Sequence, residues 1–378
     1  MKRLPCLAAS GTPERTRRYL APLLGVALLV LACAPAAAPA AQPAPPPAAA
    51  AAPGGAPAAA PAAATAPAPA AAPAQPPQLV TLSPGLVSKT GVYLSAWIAL
   101  QEGMFRDQAL EVEYTYFQEP VKEIQALIGG STEIISGSPP DIVTAVRSGA
   151  NIASVAGVVN KVPIYDLLVS SDVNSYADLQ GKRIGVSDLT GATTLIMQRM
   201  LAQNGLGKDD YDLAVVGGTG ARATAIMSGA TAAGLVGPPQ NFQLLAQGLK
   251  SLGLSTEYYK DYQFDTLVVR KDWAQQNENV VLRYIKAMSA AVDWFYDPAN
   301  KAEAARILAE ETNLAPELAE RTWDLFAKEE IFARKAQINV EGYRLVLQEQ
   351  VDAGVITPAD AAVDRMVDLS YLRKLGAQ

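Results

Sequence analysis

Histidine is absent from all 378 residues. That removes the Ser-His-Asp triad, the Cys-His dyad and every histidine-bearing zinc site at once. Cysteine is nearly absent: the chain has 2, Cys6 and Cys33, both near the start. Everything after Cys33 therefore has no thiol chemistry and no disulfide. No Walker A loop and no dinucleotide fingerprint follows a strand pattern, and Gly217-Gly218-Thr219-Gly220 reads as a glycine-rich turn. Most carboxylates fall on helical surface patterns such as Lys301 to Glu311, and nothing marks a glycosidase-type acid pair. Net positive charge is missing too. The chain carries −6 overall, and its first 33 residues are net positive by four, so the remainder stands at −10. An acidic body argues against nucleic acid as a partner. No catalytic residue, cofactor or metal site is indicated, and ligand binding without chemistry becomes the leading class.

What is present begins with a targeting segment over residues 1–33. Lys2, Arg3, Arg15, Arg17 and Arg18 supply a positive n-region. Tyr19 to Leu31 is a charge-free apolar run of roughly 13 residues, short for a membrane span. It ends in Val30-Leu31-Ala32-Cys33, which resembles a bacterial lipobox whose cysteine becomes the lipidated first residue. The alternatives are a plain secretory signal cleaved near Ala36 and a single-pass anchor. Residues 34–77 hold only Ala, Pro, Gly, Gln and a single Thr. Such a stretch has too little large apolar surface to offset the entropy of ordering. It is expected to be a disordered, partly polyproline spacer.

About 300 residues follow, enough for two lobes. Strands are expected at Leu79–Leu82, Leu110–Phe117, Glu133–Ile135, Ile152–Val159, Tyr165–Ser170, Arg183–Val186, Leu213–Val216, Gly234–Val236 and Thr266–Val269. Helical patterns alternate with them, and the chain is nearly all helical after Asp272. Strand and helix alternating every 15 to 20 residues or so indicate an α/β fold.

Four segments carry a family resemblance. They are Tyr93 to Phe105, Leu110-Glu111-Val112-Glu113, Ala126 to Ile134, and Asp178-Leu179-Gln180-Gly181-Lys182-Arg183-Ile184-Gly185-Val186. In that order and spacing the chain resembles the periplasmic solute-binding proteins of taurine, alkanesulfonate, nitrate and thiamine-precursor ABC importers. One segment departs from the pattern: Gly229-Ala230-Thr231-Ala232-Ala233-Gly234 lacks the family's acidic residue. The resemblance implies a two-lobed periplasmic-binding-protein fold (type II-like), each lobe a mixed sheet flanked by helices, with two hinge crossings. Lobe one is then 78–170 plus 270–378, and lobe two 171–269.

In such a fold the ligand sits where strands lead into helix N-termini, whose free amides bind polar or anionic groups. Ser83, Lys89, Thr90, Tyr93 and Phe117 are the candidates on the first lobe, with Ser138 and Pro139 at the next helix start. Thr190, Ala192, Thr193, Gly218, Thr219, Pro238 and Asn241 are the candidates on the second. Each has a plainer reading as a helix cap, a turn residue or core. Trp97 reads as core, and Arg222 as either an anion anchor or an exposed surface arginine, the second preferred. The implied function is extracytoplasmic capture of a small organic or anionic solute and its delivery to a permease, by a lipid-anchored monomer at the outer face of the cytoplasmic membrane. Two alternatives stand beside it. One is a ligand-sensing lipoprotein without transport. The other is an enzyme of thiamine-precursor synthesis, whose eukaryotic branch uses histidine and a cysteine-rich motif absent here.

Overall fold

The computed structural model describes residues 78–259 and 261–378. The leader, the Cys33 lipobox and the Ala/Pro spacer lie outside the described residues.

Among the described residues the chain forms twelve strands. They are β1 (Val80–Leu82), β2 (Gly85–Leu86), β3 (Leu110–Val112), β4 (Thr115–Tyr116), β5 (Ile134–Gly137) and β6 (Ile152–Val159). These are followed by β7 (Asp166–Val169), β8 (Arg183–Val186), β9 (Asp212–Val215), β10 (Ala233–Val236), β11 (Lys250–Leu254) and β12 (Asp265–Arg270). All eight residues of β6 are buried, the mark of a strand covered on both faces. The expected strand Leu110–Phe117 is two strands. β3 pairs with β1, and β4 pairs with β2 in a different sheet.

Two five-stranded sheets result, ordered β4-β2-β5-β12-β6 and β11-β7-β10-β8-β9. Each is mixed for the same reason. β12 lies antiparallel between β5 and β6, and β7 lies antiparallel between β10 and β11. These pairings also move the crossings. β7 already belongs to the second sheet and β12 already belongs to the first. The chain therefore crosses between β6 and β7 and again between β11 and β12, ahead of the expected boundaries at 170 and 269–270. Within the second crossing Tyr262 is buried, its ring 4.9 Å from that of Tyr259 in an edge contact.

The helices after β12 return to the first lobe. Glu278–Phe295 and Lys301–Thr312 pack on the helix Leu94–Gln101. Trp97 of that last helix is fully buried and donates from Nε1 to the Tyr116 hydroxyl at 3.0 Å, which satisfies its one polar atom. Phe295 stacks edge-on against Tyr296 and Phe332 and lies 5.8 Å from Trp323, so this aromatic group ties the C-terminal helices into one core. Among the described residues no helix is long and apolar enough to cross a membrane.

Candidate functional site

Five strand-to-helix junctions meet between the lobes. On the first lobe β2 leads through Ser88 and Thr90 to Leu94–Gln101, β4 leads to the helix Pro120–Gly129, and β5 leads through Ser138 to the helix Pro139–Arg147. Pro139 opens its helix, where a residue without an N–H costs nothing. On the second lobe β8 leads to the helix Ala192–Gln203, and β9 leads to the helix Thr219–Met227. The crossings supply the floor, with Tyr165 and Phe264 at a ring separation of 5.9 Å. Together they enclose a cavity of about 60 Å³.

The lobes meet around this cavity through main-chain bonds. Gly91 N donates to Pro238 O at 3.1 Å, and Gly218 N donates to Gln118 O at 3.0 Å. Thr90 and Gln240 add side-chain bonds to Pro238 O and Lys89 O. Both donor residues must be glycine for this approach. A Cβ on Gly91 would lie 2.8 Å from Pro238 O, and one on Gly218 would lie 2.7 Å from Ser88 Cβ.

The two walls differ in chemistry. The first lobe presents three carboxyl groups, Glu123 and Asp265 buried and Asp141 half-buried. Asp141 accepts a hydrogen bond from the Ser138 hydroxyl, and Asp265 accepts one from the Ser136 hydroxyl at 3.3 Å. Glu123 is 1% exposed, and its Oε1 has no hydrogen-bond partner. Burial, then repulsion from Asp188, pushes Asp141 up to about 7 despite the Ser138 bond. Burial, then Asp141, pushes Asp265 up to about 8. Burial, then Asp265 and Asp141, raises Glu123 well above the usual carboxylate range.

The second lobe's charges are already satisfied. Asp188 accepts from Thr190 N at 2.8 Å, from Gly191 N and from the Ser187 hydroxyl at 3.0 Å. Arg222 is 3% exposed, so the surface reading was wrong. It sits on the inward face of its helix and donates to Leu235 O at 2.7 Å, Gly217 O at 3.0 Å and Thr219 Oγ1 at 3.2 Å. Burial lowers its pKa.

Half of the residues singled out from the sequence line this cavity: Thr90, Tyr93, Ser138, Ala192, Thr193, Gly218 and Thr219. The others do not. The Ser83 amide donates to Glu133, at the start of β5 away from the cleft. Lys89 is exposed and pairs with Glu311 at 3.0 Å. Phe117 packs over Gly85, Pro139 lies behind Ser138, and Thr190 is exposed with its amide on Asp188. Pro238 contributes its carbonyl to the lobe contact. Asn241 binds Asp166 in a separate groove that also holds Phe242 and Arg321.

The sequence reading missed the three carboxyl groups. Glu123 sits in the first turn of a helix that follows a strand, the signal that singled out Ser138. Asp265 carried no such signal. It begins β12, whose antiparallel run brings its amino end to the edge where its neighbours end.

A family model described as NMT1/THI5 like matches residues 90–302. The formylaminopyrimidine-binding protein of Halalkalibacterium halodurans is 24% identical over 226 residues, covering 57% of this chain and 66% of that relative. A solved protein from Bordetella bronchiseptica RB50 has a TM-score of 0.67 at 22% identity, covering 78% of this chain and 96% of that one. The periplasmic nitrate-binding protein NrtA of Synechocystis PCC 6803 has a TM-score of 0.66 at 17% identity, covering 79% and 89%. These likenesses show a shared architecture, the two-lobed periplasmic-binding-protein fold.

Proposed function

The chain belongs to the NMT1/THI5-like family, and on that premise we propose that it is the solute-binding component of an ABC importer. It captures a small molecule between its lobes and hands it to a permease. The observation that carries this reading is a cavity lined from both lobes and both crossings, with main-chain bonds joining the lobes beside it. Closure of two lobes around a solute buries it and changes the outer surface at the same time. Relatives with printed solute-binding names, the formylaminopyrimidine-binding protein among them, support the reading.

Thr90, Tyr93, Ser138, Ala192, Thr193, Gly218 and Thr219 are then ligand-side residues, joined by Glu123, Asp141 and Asp265. The protein binds without turnover. The leader pattern and Cys33 support export and lipid attachment at the outer face of the cytoplasmic membrane, with the charge-free spacer as tether and the protein acting as a monomer.

A thermal-shift screen of sulfonates, nitrate, pyrimidines, aromatic acids, amino acids and small amines tests it. A ligand of the native state raises the melting temperature in proportion to the logarithm of its concentration over Kd. One chemical class is expected to shift it. No shift with any class, together with silent calorimetry, removes the solute-binding reading. Once the ligand is known, deletion of the gene is expected to abolish its uptake, and unimpaired uptake points to the sensor alternative.

A further inference from the structure

Three carboxyl groups face a cavity whose single arginine is already committed. Arg222 places its donors on Leu235 O, Gly217 O and Thr219 Oγ1. Asp188 is likewise held by two backbone amides and Ser187. Asp141 and Asp265 accept only one side-chain hydrogen bond each, from serines. Glu123 Oε1 accepts none, although the residue is 1% exposed and lines the cavity. A buried acceptor without a donor is costly, and native structures rarely tolerate one without a purpose. The missing partner is a donor that arrives with the ligand.

At pH 8 an anion fits this cavity badly, because Asp141 and Asp265 have begun to lose their protons and repel it. A metal ion fits no better. Among the described residues no three acidic side chains stand close enough together to hold one. The carboxyl groups are spread around the wall, as suits a ligand whose N–H donors point in several directions. Tyr93, Tyr165 and Phe264 complete the lining, and aromatic faces attract cations. Size narrows the class. About 60 Å³ at this closure accommodates about four to six water-sized centres.

Resting on the solute-clamp reading, we propose that the cleft selects a compact organic cation with several N–H donors, of amidinium, guanidinium or primary ammonium type. Glu123 Oε1 takes one donor, and Asp141 and Asp265 take others. The groups facing these carboxyls from the packed elements are Asp188, Arg222, Tyr93 and Tyr165. Only Arg222 among them is cationic, and its Nε, Nη1 and Nη2 each already donate to the protein.

Isothermal titration calorimetry of the intact protein at pH 8 with acetamidinium and methylguanidinium tests the class. Acetamide, nitrate and methanesulfonate serve as controls of similar size. The cations are expected to bind at least tenfold more tightly than acetamide, with no heat from either anion. Binding is also expected to release protons, so that two buffers of different ionisation enthalpy give different heats. Glu123→Gln is expected to weaken the cations at least tenfold while its circular dichroism stays native, and Asp141→Asn is a second variant should Glu123→Gln misfold. Tighter binding of either anion or of acetamide overturns the cation proposal and leaves the clamp standing. Cation affinity unchanged in both variants overturns it as well. Silence here and throughout the wider solute screen removes the clamp reading, and this proposal with it.

Discussion

The two walls of the cleft have similar residue types and opposite hydrogen-bond states. Lobe two presents Asp188, Arg222, Thr219 and Ser187, and their charged or polar atoms already bond to one another or to the backbone. Lobe one presents Glu123, whose buried Oε1 has no donor, and Asp141 and Asp265, each with one side-chain bond from a serine. A wall that is satisfied alone keeps its shape with or without ligand. A wall that is not depends on what enters. On the proposed reading recognition belongs to lobe one, and lobe two serves as a rigid cover. The sequence-based expectation placed helix-terminal hydroxyls on both sides and so gave the lobes equal parts.

The pH dependence of stability offers the strongest way to break this contrast. Folding raises the lobe-one carboxyls, with Asp141 at about 7 and Asp265 at about 8. The folded state then keeps protons that the unfolded chain, with carboxyls near 4, has released. Stability is fully present below about pH 4 for these groups and is lost as pH rises to about 8. Melting of the ligand-free protein across this range is expected to show the decline. Asp141→Asn with Asp265→Asn is expected to flatten it, and Thr193→Val on the other wall to leave it alone. A profile unchanged by the double variant would place the titrating groups elsewhere.

Ligand affinity comes next in size. Removing charge at Glu123 is expected to cost roughly 10- to 100-fold in Kd, the range for a hydrogen bond to a charged group. Thr193→Val is expected to cost less than about threefold, near the low end for a neutral bond. Equal losses would dissolve the distinction between reader and cover.

Arg222→Lys tests the cover from within. A lysine cannot reproduce three donors in a fixed fork. Chemical denaturation is expected to show a loss of about 1–3 kcal/mol, with binding by the remaining folded protein within a few fold of the parent. A selective loss of binding at full stability would show that Arg222 touches the ligand.

Gly218→Ala sharpens the contrast further. Its Cβ would lie 2.7 Å from Ser88 Cβ, so the lobes must stop short of full closure. The expected result is faster ligand release with little change in melting temperature, and a larger radius of gyration for the complex in small-angle scattering. The smallest effect belongs to Lys89→Ala. Its ion pair with Glu311 is largely exposed, at 49% and 19% for the two side chains, and is worth about 0–1 kcal/mol. No change in affinity is expected, because Lys89 lies outside the cavity.

The fold was largely legible because its signals are local. Ile152–Val159 reads as a buried strand from eight consecutive small or apolar residues and is one. Asp178 marks a helical start from its spacing to Ser175, and its carboxylate does accept the Ser175 amide at 3.0 Å. Lys250–Leu254 escaped notice. It is an edge strand with two exposed residues and Gly253 inside, and only its pairing with β7 makes it a strand. The site was half legible for a related reason. Thr90, Ser138, Thr193 and Thr219 stand at strand-to-helix junctions, which spacing reveals. Glu123 lies between exposed Lys122 and its own buried neighbour Ile124, so sequence alone assigns it to either face. Asp265 reaches the cleft only through the direction of β12, which is a property of the assembled sheet.

Two of the contacts that join the lobes run through main chain, from Gly91 to Pro238 and from Gly218 to Gln118, beside side-chain bonds from Thr90 and Gln240 and the Arg199–Glu349 ion pair. Apart from the two glycines, the two main-chain bonds are indifferent to side-chain identity. Selectivity and latching are therefore separable parts. An engineer can redraw the lining, exchanging the carboxyl groups for amides or lysines to suit a new solute, without rebuilding the latch. Inherited variation has the same freedom, so closely related clamps can diverge in cargo while their closing motion stays the same.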